Sequence, residues 1–169
     1  ALAVLEKKVL LIDADPQANA TSGLGISVDD KKLGTYELLE HTATIEQTIL
    51  KTSVPHLDII PSHIDLVAIE IELVDKKERE FMLKKALKTV SDQYDYILID
   101  CAPSLGLITL NALAAANSIM IPIQCEYFAL EGLGKLLNTI KSVQKIHNPN
   151  LDIEGLLLTM YDARLRLSN

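Results

Sequence analysis

Val9-Leu10-Leu11-Ile12-Asp13 runs into Ala14-Asp15-Pro16-Gln17, and Tyr94-Asp95-Tyr96-Ile97-Leu98-Ile99-Asp100 runs into Cys101-Ala102-Pro103-Ser104. These two stretches decide the fold. Short apolar, β-branched runs closed by Asp and Pro read as buried strands of a parallel sheet. Each brings a carboxylate to the C-terminal edge of its strand, where open α/β sheets bind ligands. Acids in that place serve a bound cation or a reacting water.

Around these two stretches strand and helix alternate, which predicts an α/β fold with a mostly parallel sheet and helices on both faces. Further strands are expected at Leu57–Pro61, Ser118–Gln124 and Ile153–Met160. Helices are expected over Ala1–Lys7 (a remnant), Thr35–Glu40 with Thr35 as N-cap, Ser62 or His63 to Val74, Lys76–Ser91, Gly106–Ala116 and Ala129–Ile146. Gln17–Lys32 reads as a polar loop with a short helix. Right-handed crossovers send the strand ends to one edge. Asp13, Asp15, Asp100, Gln124 and Tyr161 are therefore expected on one side.

Length and composition bound the function. The chain has 169 residues, enough for one domain with a sizeable core. No apolar run reaches the roughly 18 residues of a transmembrane helix, and no leader is visible at the start. Ala1 opens the chain inside a helical remnant, and Arg164–Asn169 closes it without a clear end to the fold. Both ends are expected to be cuts. The net charge of −7 argues against a general nucleic-acid-binding surface in this segment. Two cysteines, Cys101 and Cys125, fit buried thiols in a cytoplasmic protein and not a disulfide scaffold.

Asp13 and Asp15 share one side of an extended segment by the period-2 rule. They can orient a magnesium-bound water or hold an attacking water in line with a phosphate. They can equally cap the following turn, because Asp-Pro favours turns. Asp100, which follows four apolar residues and precedes a Pro-Ser loop, reads as a magnesium-serving acid or as an Asp that simply ends its strand. Glu126 opens a helix at the ligand edge, where it can meet a nucleotide ribose or a partner, or complement the helix N-terminus. A phosphate-cradling loop of the form Gly, four residues, Gly-Lys-Ser/Thr does not occur in the chain. Gly134-Lys135 is preceded at the first-glycine position by Ala129 and followed by Leu136, and it sits in a helix. Gly23-Leu24-Gly25 lacks a third glycine and a preceding strand. His41, His56, His63 and His147 have no ligand spacing and are expected at the surface.

Taken together, these blocks resemble the ParA/Soj/MinD family of deviant-Walker P-loop ATPases, and the ParA/Soj chromosome- and plasmid-partitioning branch most closely. Residues 9–21 look like its switch I, 94–106 like its Walker B strand and switch II, and 122–132 (Pro-Ile-Gln-Cys-Glu-Tyr-Phe-Ala-Leu-Glu-Gly) and 157–162 like the ParA branch. The resemblance implies a single P-loop NTPase-like domain over 1–169 that lacks the Walker A loop and the C-terminal part. It implies that Asp15 positions the attacking water, and that Asp13 and Asp100 serve magnesium mainly through its waters. Pro16, Gln17, Pro103 and Glu126 would lie on the nucleotide side, with Pro103 in the γ-phosphate-sensing loop. It further implies ATP and Mg2+ as cofactors, an ATP-dependent homodimer, non-specific DNA binding, a centromere-binding ParB-like partner, no membrane, and a nucleoid-associated place in the cytoplasm. A MinD-like membrane-cycling regulator is the alternative. For the chain as it stands, a non-catalytic structural core is a further one.

Overall fold

A computed structural model describes residues 1–27, 33–102, 104, 106–124 and 127–160, without the side chains of 127–131. The chain forms two compact units, Ala1–Ala115 and Ala116–Asn169.

The first unit is organised by β1 (Val9–Ala14), which has parallel neighbours on both sides. It pairs with β3 (Leu57–Ile60) on one side and β4 (Tyr96–Cys101) on the other, in the order β2-β3-β1-β4. A central strand must bury both faces. The sequence meets that demand with Val9, Leu10 and Ile12, each at most 2% exposed. β2 (Leu50–Lys51) is a short antiparallel edge on β3. Nothing in its two residues announces a strand, and the Lys51–Asp58 ion pair at 2.7 Å marks it as a charged edge.

Leu10, Ile12 and Ala14 of β1 and Ile60 of β3 face a cluster of helical side chains. Leu38 and Leu39 come from α2 (Thr35–Glu40), Ile45 from α3 (Ile45–Thr48), Ile69 from α4 (Ile69–Glu72), Met82, Leu83 and Leu87 from α5 (Met82–Leu87), and Leu107 and Ile108 from α6 (Leu107–Ala115). Tyr96 and Leu98 of β4 are 45% and 46% exposed, so this strand alternates half-buried and open positions.

Four local expectations change. Gly34, not Thr35, is the N-cap of α2; Thr35 is its first residue and turns its hydroxyl to the strand ends. The helix expected from residue 62 or 63 is a 3-10 stretch, Ile64–Ala68, followed by one α turn. The helix expected over 76–91 shortens to a 3-10 turn, Arg79–Phe81, and α5. Asn111 of α6 explains that break: its Nδ2 donates to Arg79 O at 2.8 Å and its Oδ1 accepts from Leu83 N–H at 3.1 Å. The tertiary bonds take the backbone groups that a longer helix would use. At the start of the chain the helical remnant is a 3-10 turn, Ala3–Leu5.

In the second unit, β5 (Ser118–Gln124) and β6 (Asp152–Thr159) pair in parallel, joined by α7 (Tyr127–Ile146). The register steps between Ile119 and Met120, whose partners are Ile153 and Gly155, so Glu154 is a bulge. Ile121, Ile123, Ile140, Val143 and Leu151 are buried. Asn148 closes the helix-to-strand turn by donating to Ala116 O at 2.7 Å. Gln124 belongs to this unit, and Tyr161 lies outside the described residues.

Candidate functional site at the C-terminal edge of the first sheet

The β1–β4 register sets Asp13 opposite Asp100 and Ala14 opposite Cys101. Asp15 follows at once. Two strand ends therefore bring three carboxylates to one edge.

Asp13 is fully buried, and its carboxylate is held by the chain's own donors. Oδ1 accepts from the Asp15 N–H at 3.2 Å. Oδ2 accepts from the Thr21 N–H at 2.8 Å and from the Thr21 hydroxyl at 2.6 Å. A buried carboxylate requires such partners. Thr21 opens no new element. It lies in α1 (Asn19–Gly23), and its Oγ1 also accepts from the Ser62 N–H at 3.0 Å, just past β3. The Thr35 hydroxyl donates to Asp13 O at 2.7 Å. Asp13 thus ties three chain segments together, and the loop of residues 15–20 is closed like a ring beneath it.

Asp15 sits on that ring, half-buried. Its Oδ1 accepts from the Gln17 N–H at 2.9 Å, and its carbonyl accepts from the Ala18 N–H at 2.9 Å. Ala18 takes φ 53°, the left-handed value that tightens the turn. The turn-capping reading of Asp15 holds: one oxygen caps the turn, which leaves the carboxylate further acceptor sites. Pro16 is half-buried and Gln17 exposed in the same turn.

Asp100 is exposed at the edge, yet partial desolvation pushes its carboxyl above the usual range, and the charges of Asp13 and Asp15 push it the same way. Negative charge is concentrated here, which a cation would relieve. Among the described residues no three His, Cys, Asp or Glu side chains form a metal cage. Burial, followed by Asp100, Asp15 and Asp13, pushes the Cys101 thiol up to about 12, so it is a proton-bearing thiol and not a nucleophile.

Pro103 and Glu126, as well as Cys125, lie outside the described residues. His41 and His56 are exposed, but His63 is not a surface residue. It packs edge-on against Tyr36 at 5.7 Å between ring centroids and lies 3.3 Å from Glu37. His147 is half-buried.

Thr21, Glu70 and Asn111 escaped the sequence reading, and Thr35 reads there only as a helix cap. Each is a polar residue whose partner lies far along the chain. Asn111 left one trace, a lone amide inside the apolar run of residues 107–116.

A family model described as an AAA domain matches residues 1–153. The sporulation initiation inhibitor protein Soj of Bacillus subtilis is 55% identical over 98% of this chain and 66% of its own length. The chain thus spans about two thirds of that relative. A structure of cobyrinic acid a,c-diamide synthase from Mycobacterium smegmatis with a bound ATP analogue and magnesium is 38% identical, with a TM-score of 0.94 over 99% of this chain and 68% of that one. A plasmid partition protein from Borrelia burgdorferi is 34% identical, with a TM-score of 0.83 over 99% of this chain and 71% of that one.

Proposed function

Because the chain belongs to the Soj/ParA family of chromosome-partitioning ATPases, we propose that a full-length protein containing it hydrolyses ATP to drive DNA segregation, with Asp15 orienting the attacking water. One observation carries this reading: Asp13 and Asp100 are register partners on adjacent parallel strands, with Asp15 in the turn beyond. Relatives named Soj and ParA favour partitioning over the membrane-cycling alternative. No described helix is long and apolar enough to cross a membrane. The likeness to a synthase rests on lower identity, and it fits a nucleotide-and-magnesium fold common to both.

In this reading Asp15 keeps one oxygen on the Gln17 amide and offers the other to water. A positioned carboxylate of this kind acts as a general base or orienter in phosphoryl transfer. Asp100, exposed and electrostatically crowded, would hold a magnesium ion through its waters. Asp13, buried and fully engaged, contributes charge and fixes the turn that carries Asp15. Magnesium, bound with the nucleotide, supplies charge neutralisation at the phosphates. Pro16 and Gln17, in the turn that carries Asp15, would border the nucleotide. ATP-dependent homodimerisation, non-specific DNA binding, a centromere-binding ParB-like partner and residence on the nucleoid complete the proposal.

The test is Asp15→Ala in the full-length protein. Turnover is expected to fall about 10²–10⁴-fold while ATP binding persists. Wild-type turnover by the variant would refute the role.

A further inference from the structure

We propose that Glu70 is a positioning residue: from α4 it grips the first two amides of α6 and so sets the loop that carries Asp100 into that helix. Its functional consequence rests on the ATPase reading above. Glu70 Oε2 accepts from the Leu107 N–H at 2.8 Å and Oε1 from the Ile108 N–H at 3.2 Å, one oxygen for each amide.

The first amides of a helix have no partner within it, and the helix dipole favours a negative charge there. The usual solution is local, a Ser, Thr, Asp or Asn just before the helix. Here the cap comes from 37 residues upstream. It therefore joins two elements and does more than finish one.

The neighbourhood is built around that grip. A Cβ on Gly106 would collide with Glu70 Oε1, so the residue that precedes α6 has to be glycine for the carboxylate to sit where it does. The Thr109 hydroxyl donates to Ser104 O at 2.6 Å, a second tether on the same loop. Asn111 fixes the body of α6 to Arg79 and Leu83. With α6 held at Leu107 and Asp100 held in β4, the chain that follows Asp100 is anchored at both ends.

The segment that carries Glu70 is also tied at its other end. The Ser62 N–H donates to the hydroxyl of Thr21, which holds Asp13. Residues 62–70 thus form a strut. One end meets the turn of Asp15 through Thr21 and Asp13; the other meets the loop after Asp100 through Glu70. The strut ties the Asp15 turn to the start of α6, while the β1–β4 register itself sets Asp13 opposite Asp100.

The experiment uses the full-length protein with Glu70→Gln, Glu70→Ala, Gly106→Ala and the Glu70→Ala/Gly106→Ala double variant. Steady-state turnover, ATP affinity and amide hydrogen exchange at Leu107 and Ile108 are measured. Misplacing one catalytic loop costs roughly 10- to 100-fold in turnover, and that loss is expected for Glu70→Ala with ATP affinity little changed. Glu70→Gln, which keeps one acceptor and the side-chain volume, is expected to fall between wild type and Glu70→Ala. It carries the test if the alanine variant does not fold. Exchange at both amides is expected to accelerate. The double variant is expected to be no worse than the poorer single, because both substitutions break the same contact. Wild-type turnover in Glu70→Ala, multiplicative losses in the double, or unchanged exchange would overturn the proposal. A wild-type protein without ATPase activity would instead refute the functional reading, and hydrogen exchange would still decide the grip.

Discussion

Thr21→Val probes the centre of the site with almost no change of shape. The substitution replaces a buried hydroxyl by a methyl group. It removes the 2.6 Å donation to Asp13 Oδ2 and the acceptor of the Ser62 N–H, while the Thr21 amide keeps its 2.8 Å bond to the same carboxylate. A hydrogen bond to a charged group contributes about 1.5–3 kcal/mol, and a buried amide left unpaired costs about 1–3 kcal/mol. The two losses share one hydroxyl and one site, so they do not add in full. The expected destabilisation is about 3–4 kcal/mol. Two controls bracket it. Thr35→Val removes donations to neutral carbonyls, Asp13 O and Pro61 O, and Pro61 O keeps the Thr35 N–H; its cost is expected at about 0.5–1.5 kcal/mol. Ser62→Ala removes a hydroxyl that is buried with no hydrogen-bond partner. It is expected to be neutral or slightly stabilising, because the desolvated hydroxyl returns nothing. Guanidinium denaturation of the three variants beside wild type reads the shifts in midpoint at constant slope. A Thr21→Val cost below that of Thr35→Val would refute the reasoning that Asp13 is held chiefly by Thr21.

Three further outcomes are expected. The 169-residue chain alone binds Mg–ATP only weakly, because its carboxylate edge repels a triphosphate and the sequence contains no glycine-rich cradle; micromolar binding by calorimetry would show that the cradle is built from other residues. Cys101, whose thiol is pushed from 9.0 to about 12, holds about a thousandth of the ordinary thiolate, so site-resolved alkylation near pH 8 should be slow, and rapid labelling in the folded state would contradict its environment. Tyr94, through burial and its bond to Asp58, and Tyr36, through its bond to Glu72, both titrate near 12 instead of 10.0. A raised folded value means that the stability they contribute is full below pH 10 and is lost as pH climbs through about 12; ultraviolet titration should show both of these phenols ionising late, and Tyr94→Phe should remove one late phenol.

Much of the first unit was legible because its signals are local. The parallel strands announce themselves in the runs Leu10-Leu11-Ile12 and Ile97-Leu98-Ile99, although the expected burial holds for β1 and only in part for β4, the last strand of its sheet. The sequence places Asp13 and Asp100 at the ends of those runs, with Asp15 just beyond the first, and the structure sets Asp13 and Asp100 opposite each other. The pieces that escaped are set by partners far along the chain. The helix expected over 76–91 has good local propensity, yet Asn111, about 30 residues away, takes its early backbone groups and shortens it. Thr35 looks like a cap by type, but Gly34 takes that place and the threonine hydroxyl reaches back to Asp13 O. Glu70 is one of several acids in residues 65–75. Only the fold distinguishes it from Glu72, which meets the Tyr36 hydroxyl at the surface. Local pattern therefore locates the carboxylates, and long-range hydrogen bonds determine how they are held. Asp13 shows the difference most sharply. The sequence marks it as an acid at a ligand edge, while the structure finds it buried, with every oxygen engaged by the chain. The residue placed deepest in the motif acts through Thr21 and Asp15, and Asp15 and Asp100 are the carboxylates left to face water.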